Sequence, residues 1–248
     1  VTDEGGLSIG PLTSLADIAS NEHVLRIAPA LAQAAGTVAG PQHRIMGTIG
    51  GNVMLDTRCQ WINQSHFWRS SLGFCLKKDG TACHVVEGGS RCVAAASNDT
   101  AAALASLGAS LDFQSAPTEH GDGKRSLDFD ALFKADGAWN KKVTPTELLT
   151  RIHIPATPLG HRGGYVKLRL RGSIDFPLLG VASRLDLDEA GKIEHADLVV
   201  IALQARPTRV RKAAKLLIGT TPGQANYDTA VAQVMDAAYK QCTPLPNI

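Results

Sequence analysis

The chain has 248 residues, of which 44% are hydrophobic and 19% charged, and its formal net charge is +2. These values are typical of a globular protein, and the length allows one large domain or two smaller ones. Charges of both signs are interspersed and the longest apolar stretch is far too short for a bilayer, so neither nucleic acid nor a membrane span is expected. Residues 1–10 lack a secretory pattern, and we expect a cytoplasmic location.

The first forty residues predict a short strand followed by helices. The strand covers residues 7–10, and the first helix covers residues 12–20. A second helix spans residues 22–36, with Asn21 as its N-cap and with Pro29 forcing a break or a new start. Its apolar positions recur at helical spacing, so one face is expected to be buried.

A glycine motif follows the helical region. By itself it is most simply a tight turn in which glycine supplies a positive φ. Two residues without Cβ would also let backbone amides approach a phosphate closely. The strand and GxGxxG context of a Rossmann fingerprint is missing. The motif consists of Thr48, Ile49, Gly50, Gly51 and Asn52.

Four of the five cysteines lie in a stretch without hydrophobic periodicity, residues 56–92. Such a long aperiodic stretch is unusual in a compact domain, so something other than secondary structure must organise it. Four thiolates satisfy a [4Fe-4S] cluster, and structural zinc or disulfides are the alternatives. Without an export signal, reduced thiols are favoured over disulfides. These cysteines are Cys59, Cys75, Cys83 and Cys92.

Three further residues each have a functional and an ordinary interpretation, and a fourth has only an ordinary one. Asp99 is placed either to bond a ribose hydroxyl or to cap a helix, and Lys167 either faces a cofactor or lies on a solvated strand face. His84 adjoins a cysteine, but a satisfied or exposed histidine is the commoner outcome. Cys242 stands alone and is interpreted as incidental.

The rest of the chain predicts an α+β arrangement, with strands preceding the last helices. A helix over residues 99–108 has Asn98 or Asp99 as its cap, and Thr208 caps a basic helix over residues 208–218. Strands are predicted at residues 111–114, 126–129, 148–154, 164–171, 179–187 and 193–203, and a final helix at residues 227–239.

Together, these residues resemble a known family. Residues 41–44 and the glycine motif resemble the second flavin-contacting motif in FAD subunits of the xanthine dehydrogenase and carbon monoxide dehydrogenase family. Asp99 is similar to that family's ribose-binding aspartate. Leu149 lies in a segment similar to the strand that closes the FAD domain, and Lys167 begins a segment similar to the C-terminal domain. The resemblance implies that the glycine motif, Asp99, Leu149 and Lys167 bind FAD.

The cysteine-containing stretch is the most specific part of the resemblance. It separates the glycine motif from the aspartate, which are close together in most family members, and it closely resembles the β subunits of 4-hydroxybenzoyl-CoA reductases. The likeness implies that Cys59, Cys75, Cys83 and Cys92 are ligands of a [4Fe-4S] cluster. The matching motifs are DTRC at 56–59, NQS at 63–65, WRS at 68–70, CLK at 75–77 and CHV at 83–85.

The resemblance also implies a domain organisation. Residues 1–155 are predicted to form an FAD-binding, PCMH-type domain into which residues from about 56 to 95 are inserted as an iron-sulfur loop. Residues 156–248 are predicted to form an α+β domain like the C-terminal domain of CO dehydrogenase flavoproteins. An N-terminal lobe and a C-terminal end found in family members are expected to be missing.

In the implied function the chain carries electrons and needs no general acid or nucleophile. A ferredoxin-like donor reduces the cluster, and electrons reach FAD, a [2Fe-2S] small subunit and a molybdopterin-binding large subunit. There an aromatic acyl-CoA is reductively dehydroxylated. Two alternatives remain open: an oxidative molybdenum hydroxylase with outward electron flow, and a non-catalytic assembly module stapled by zinc.

Overall fold

The computed structural model describes residues 1–117 and 121–241, with side chains described up to residue 236. Cys242 and part of the loop between the second and third strands lie outside the described residues. The strands are β1 Leu7–Ile9, β2 Ser110–Gln114, β3 Lys124–Asp128, β4 Leu148–Ile154, β5 His161–Leu168, β6 Leu179–Leu187, β7 Ile193–Ile201 and β8 Thr208–Arg209. The helices are α1 Leu15–Ser20, α2 Glu22–Ile27, α3 Pro29–Thr37, α4 Pro41–Met46, α5 Ile49–Val53, α6 His66–Ser71, α7 Asp99–Ser106, α8 Arg211–Leu217 and α9 Gln224–Gln241.

The first sheet is antiparallel, with the strand order β1-β4-β2-β3. Leu111 of β2 lies opposite Ile152 of β4, and both side chains are fully buried. Phe113 lies opposite Leu149 two residues further along β2 and is also buried. Since successive strand residues point to opposite faces, these apolar positions place one face of the sheet against the helices.

The second sheet has the order β5-β6-β7-β8 and separates two apolar cores. Val199 and Ile201 of β7 join the core that also contains the first sheet. Leu198 and Val200 point the other way and pack in a smaller core with α8. The mixture of antiparallel sheets and helices confirms the predicted α+β fold class.

Two alanine-rich helices, α3 and α7, pack on the second sheet. Every residue of α7 is buried, and this helix packs against α3, β6 and β7. Alanine has no side chain beyond Cβ, so the helix backbones can approach their neighbours closely. As a result, Asp99 at the start of α7 lies beside the first strand of the second sheet.

Local signals locate many of these elements. Asn21 caps α2, its side chain accepting hydrogen bonds from two backbone N–H groups, and Pro29 begins α3 as the first helical residue. The predicted cap at Thr208 is wrong. Thr208 pairs with Val200 in β8, and α8 begins only at Arg211. Within the described ranges, no helix combines the length and apolar character needed to cross a membrane.

Residues 56–95, called the cysteine segment below, form a long excursion that contains α6 and several turns. At its base, the backbone N–H groups of Arg58 and Ala95 donate to each other's carbonyl oxygens, both at 3.0 Å. In its middle, the Lys77 ammonium donates to Asp56 Oδ1 at 3.0 Å, Thr57 Oγ1 at 2.7 Å and Gly137 O at 2.8 Å. The first pair closes the base of the segment, and the bond from Lys77 to Gly137 attaches the segment to the rest of the domain.

Candidate cofactor cavity and cysteine site

A cavity of about 480 Å³ lies where α5, the start of α7 and the loop after β5 meet. This volume falls within the range of about 300 to 1,000 Å³ that is usual for small-molecule and cofactor sites. The cavity, called the cofactor cavity below, is lined by residues that include Val38, Thr48, Gly51, Asn52, Asp99 and Phe176.

The glycine motif forms a helix start at this cavity, so its interpretation as a positive-φ turn is wrong. Thr48 is the N-cap of α5 and accepts a hydrogen bond from the Gly51 N–H at 3.1 Å. Gly50 and Gly51 are absent from the positive-φ residues. A Cβ on Gly50 would lie 2.6 Å from the Pro11 Cβ and 2.7 Å from its carbonyl oxygen. Glycine is therefore required at position 50 by close packing.

The motif divides between cavity and core. Thr48, Gly51 and Asn52 line the cavity, whereas Ile49 is fully buried in the main core. The Asn52 side-chain oxygen accepts hydrogen bonds from the Thr100 backbone N–H at 3.2 Å and the Thr100 hydroxyl at 2.6 Å. This contact fixes α5 against the start of α7.

Asp99 is the buried charge of the cavity wall, not a helix cap. Asn98 occupies the N-cap position, and Asp99 is the first residue of α7. The Tyr165 hydroxyl donates to Asp99 Oδ1 at 2.7 Å, and the Lys167 ammonium donates to Oδ2 at 3.0 Å. The solvated interpretation of Lys167 is also wrong, because only 2% of its side chain is exposed.

Burial dominates the electrostatics of this cluster. It raises the pKa of Asp99, while the Lys167 ammonium and the Tyr165 hydroxyl oppose that rise. Burial lowers the pKa of Lys167, opposed by the Asp99 charge. Burial and the neighbouring carboxylate both raise the pKa of Tyr165, so this hydroxyl keeps its proton and acts as a donor.

Sequence reasoning missed Tyr165 and its neighbour Gly180. A Cβ on Gly180 would overlap the Tyr165 hydroxyl oxygen, so glycine there makes room for it. The available signal was the two-residue alternation of β5, which places Tyr165 and Lys167 on the same face.

Leu149 lies elsewhere than the other predicted FAD-binding residues. It is 6% exposed, opposite Phe113 in the first sheet, and belongs to the main core. Its predicted role at the flavin stays a prediction.

The cysteine segment brings its four thiols to one small cavity, of about 20 Å³. Cys59, Cys75, Cys83 and Cys92 all line it and all are free, so disulfides are the wrong alternative among the described cysteines. Backbone N–H groups of Val86 and Ala94 point at the sulfurs of Cys83 and Cys92 at 3.4 and 3.5 Å. A cubane would have to push the thiols outward from this cavity.

Burial dominates the electrostatics of two of the thiols. Burial raises the pKa of Cys59 and of Cys92, and the nearby charge of Cys75 raises both further. Backbone N–H groups oppose the rise at each sulfur. In the described part of the chain, no group of three or more His, Cys, Asp or Glu side chains is arranged to hold a metal ion. This finding supports neither a zinc ion nor an assembled [4Fe-4S] site, and the cluster on these cysteines stays a prediction.

Aromatic rings cover one side of the thiols. Trp61 stacks near Trp68 and near His84, with ring centroids 5.2 and 5.1 Å apart. His84 Nε2 lies 2.5 Å from the Phe74 carbonyl oxygen. The prediction of a satisfied histidine is therefore confirmed.

The cofactor cavity fits an extended organic cofactor. Its wall combines apolar side chains with Asp99, and it includes Ser97, whose buried hydroxyl lacks a hydrogen-bond partner among the described residues. A buried hydroxyl without a partner is costly, so a polar group of a ligand would be favourable there. These features suit the binding of an organic cofactor.

Comparison with known proteins identifies the family. Residues 1–157 match the FAD binding domain in molybdopterin dehydrogenase, and residues 165–247 match the CO dehydrogenase flavoprotein C-terminal domain. The chain therefore belongs to the FAD-binding subunit family of the molybdopterin dehydrogenases.

Two relatives and one solved structure illustrate the similarity. The aldehyde oxidoreductase FAD-binding subunit PaoB of Escherichia coli (strain K12) is 30% identical over 96% of this chain and 74% of that protein. The carbon monoxide dehydrogenase medium chain of Afipia carboxidovorans is 26% identical over 94% of this chain and 65% of that protein.

The fold is shared with a solved structure whose sequence is only distantly similar. A chain in the crystal structure of cyanide-inactivated Cu,Mo-CO dehydrogenase matches with a TM-score of 0.68 at 23% identity, covering 94% of this chain and 65% of that one. At this identity the likeness supports the fold alone. This chain spans between 65% and 74% of the length of these three proteins.

Proposed function

We propose that this chain is the electron-transfer subunit of a molybdenum hydroxylase-type complex, holding FAD in the cofactor cavity and a [4Fe-4S] cluster on the cysteine segment. The observation that carries the proposal is the meeting of four free thiols at one cavity, in a chain whose family binds FAD. Its proposed partners are a molybdopterin-binding large subunit and a [2Fe-2S] small subunit.

On the flavin side, the chain's residues bind and orient. Thr48, Gly51 and Asn52 offer a close backbone approach and polar side chains along one wall. Asp99, at the start of the neighbouring α7, accepts hydrogen bonds from Tyr165 and Lys167, and the Lys167 ammonium balances its charge. When bound, FAD exchanges electrons in pairs or singly, which suits a link between two-electron chemistry and iron-sulfur centres.

On the cysteine side, the thiolates would supply the ligands and the backbone N–H groups near Cys83 and Cys92 would stabilise sulfur charge. Four thiolates complete the ligand set of a cubane. Lys77 adds a positive charge that lowers the pKa of Cys92 against the effect of burial. The Trp61 ring, shared between the thiol cavity and the neighbouring aromatic cluster, shields this side from water.

For the direction of flow we propose first the reductive reaction that the motifs of the cysteine segment favour. A ferredoxin-like donor would supply electrons for the dehydroxylation of an aromatic acyl-CoA on the large subunit. Low-potential clusters are suited to such a demanding reduction, since cluster potentials extend to about −700 mV.

A second candidate is an oxidative complex with outward flow. It is favoured by the relatives, which are a subunit of an aldehyde oxidoreductase and a chain of a carbon monoxide dehydrogenase. Anaerobic mixing of the complex with an aldehyde or an aromatic acyl-CoA separates the two. Bleaching of flavin absorbance by an aldehyde supports oxidation, and reoxidation of the reduced complex by the acyl-CoA supports reduction.

Metal and flavin analysis of the anaerobically purified complex tests the proposal. We expect FAD together with iron and sulfide in the ratio of a cubane, about four of each per cluster. Cys75→Ser should lose the cluster and keep the flavin, whereas Cys242→Ser, outside the segment, should keep both. Zinc without iron or sulfide would instead establish the assembly module. A complete cluster with unchanged spectra in Cys75→Ser would contradict the ligand assignment.

A further inference from the structure

The two family domains meet at the wall of the cofactor cavity. Asp99 belongs to the part of the chain that matches the FAD binding domain, whereas Tyr165 and Lys167 belong to the part that matches the C-terminal domain. Both residues of the C-terminal domain reach the same carboxylate, one at each oxygen. Tyr165 and Lys167 therefore support the cavity wall from behind Asp99, and the same domain lines the cavity with Ile174, Asp175 and Phe176.

The geometry points to Tyr165 as a positioning residue for FAD: its hydroxyl fixes the Asp99 carboxylate so that the remaining lone pairs face the cavity. This inference rests on the proposed FAD site. A carboxylate has about four acceptor positions, so two donors leave capacity for a cofactor group. Without the Tyr165 donor, Asp99 could rotate toward Lys167 alone.

The surroundings of Tyr165 hold its hydroxyl in place. The residue is 5% exposed, and its backbone N–H donates to Gln33 Oε1 at 2.7 Å. Gly180, on the adjacent strand β6, leaves the space that the hydroxyl occupies. A methyl group at position 180 would overlap the hydroxyl without removing it, and it would also lie 2.6 Å from Cγ1 of the buried Ile201. The structure thus offers two independent ways to break the same contact.

The first experiment measures FAD affinity of the deflavinated complex by fluorescence titration. We expect Tyr165→Phe to weaken FAD binding about three- to tenfold, the value of one hydrogen bond. Tyr227→Phe is the matched control, since Tyr227 packs against the smaller core away from the cavity. The control should bind FAD as tightly as the wild type. Wild-type affinity in Tyr165→Phe would overturn the inference.

The second experiment displaces the hydroxyl from the side. Gly180→Ala should weaken FAD binding in the same direction as Tyr165→Phe. Gly164→Ala is its control, because a Cβ there meets only Ser183 Oγ at 3.5 Å and Gln33 Oε1 at 3.9 Å, which are ordinary contacts. Both changes disturb the same hydrogen bond from the Tyr165 hydroxyl to Asp99. Tyr165→Phe combined with Gly180→Ala should therefore lower FAD affinity by a smaller factor than the product of the two single factors. Fully multiplicative effects would contradict the shared mechanism.

Dependence on Asp99 distinguishes positioning from general stability. If Tyr165 acts on FAD through the Asp99 carboxylate, Tyr165→Phe should weaken FAD binding much less in an Asp99→Ala background than in the wild type. A purely structural role would give the same loss of affinity in both backgrounds, which would overturn the inference. Failure of the wild-type complex to bind FAD at all would instead overturn the proposed function.

Discussion

The cofactor cavity and the cysteine segment are built on opposite principles. The cavity is formed by elements that pack on the main core, and its Asp99–Lys167 pair is almost completely buried. The cysteine segment contributes few buried apolar residues and is attached through its base and Lys77. The fold therefore holds the cofactor cavity in shape before any ligand binds. The cysteine segment depends on few contacts and, in our proposal, on its cluster.

The largest effect should come from unpairing the buried charge at the cavity. Lys167→Met leaves Asp99 uncompensated, and we expect the free energy of unfolding to fall by about 3 to 5 kcal/mol. Urea denaturation of the purified chain measures this loss. Asp99→Asn combined with Lys167→Met should recover part of it, because no lone charge remains buried. A loss below about 1 kcal/mol, as at exposed pairs, would refute the preorganised cavity.

A cavity created in the main core should cost slightly less. Ile152 is fully buried opposite Leu111, so Ile152→Ala should lower the free energy of unfolding by about 3 kcal/mol through lost burial and an unfilled void. Leu148→Ala is the control on the same strand, since Leu148 is 69% exposed. Calorimetry should show one lowered transition for Ile152→Ala and little change for Leu148→Ala.

A smaller and more local effect is expected at the attachment of the cysteine segment. Lys77→Met removes three hydrogen bonds, and we expect local opening to become easier by about 2 kcal/mol. Limited proteolysis should then cut within residues 56–95 faster, with the FAD binding of the cavity unchanged. Lys78→Met changes an exposed neighbour and should leave the cutting rate unaltered. If Lys77→Met weakened FAD binding as much as it sped up proteolysis of the segment, the two regions would not be independent in stability.

The smallest effect is a pH dependence at the junction of the two regions. The Lys141 ammonium donates hydrogen bonds to Leu55 O and Asn140 Oδ1. Burial lowers the pKa of Lys141 to about 8. The Asp56 charge opposes this lowering, and the Lys77 charge adds to it. Below this pH, folded and unfolded chains both hold the proton. Above it, the unfolded chain holds more protons, so stability rises with pH.

The expected rise is about 1 kcal/mol between pH 8 and pH 9. Urea unfolding at these two pH values measures it, with Lys141→Met as the comparison. The variant should lack this contribution. An identical pH dependence in both proteins would show that Lys141 keeps an ordinary pKa.

Sequence patterns predicted the periodic parts of the fold well. The strand at residues 148–154, the cap at Asn21 and the helix start at Pro29 follow from local alternation, capping and backbone restriction, and the structure has them. The glycine motif was misjudged, because the constraint on Gly50 comes from Pro11, a contact distant in sequence. Local preference cannot reveal such a constraint.

The candidate site was only partly predictable for the same reason. Asp99 and Lys167 were singled out by resemblance, yet their pairing depends on how α7 packs beside β5. Tyr165 and Gly180 become meaningful only once that packing is known. The four cysteines were recognisable by number and by the missing periodicity, although only the folded chain shows them at one cavity.

The reciprocal hydrogen bonds between Arg58 and Ala95 place the two ends of the cysteine segment side by side. An insertion whose two ends lie side by side can be deleted without moving the residues on either side, because a tight turn can close the short gap. A shortened chain would also lose the bond from the Lys77 ammonium to Gly137 O, which lies outside the segment.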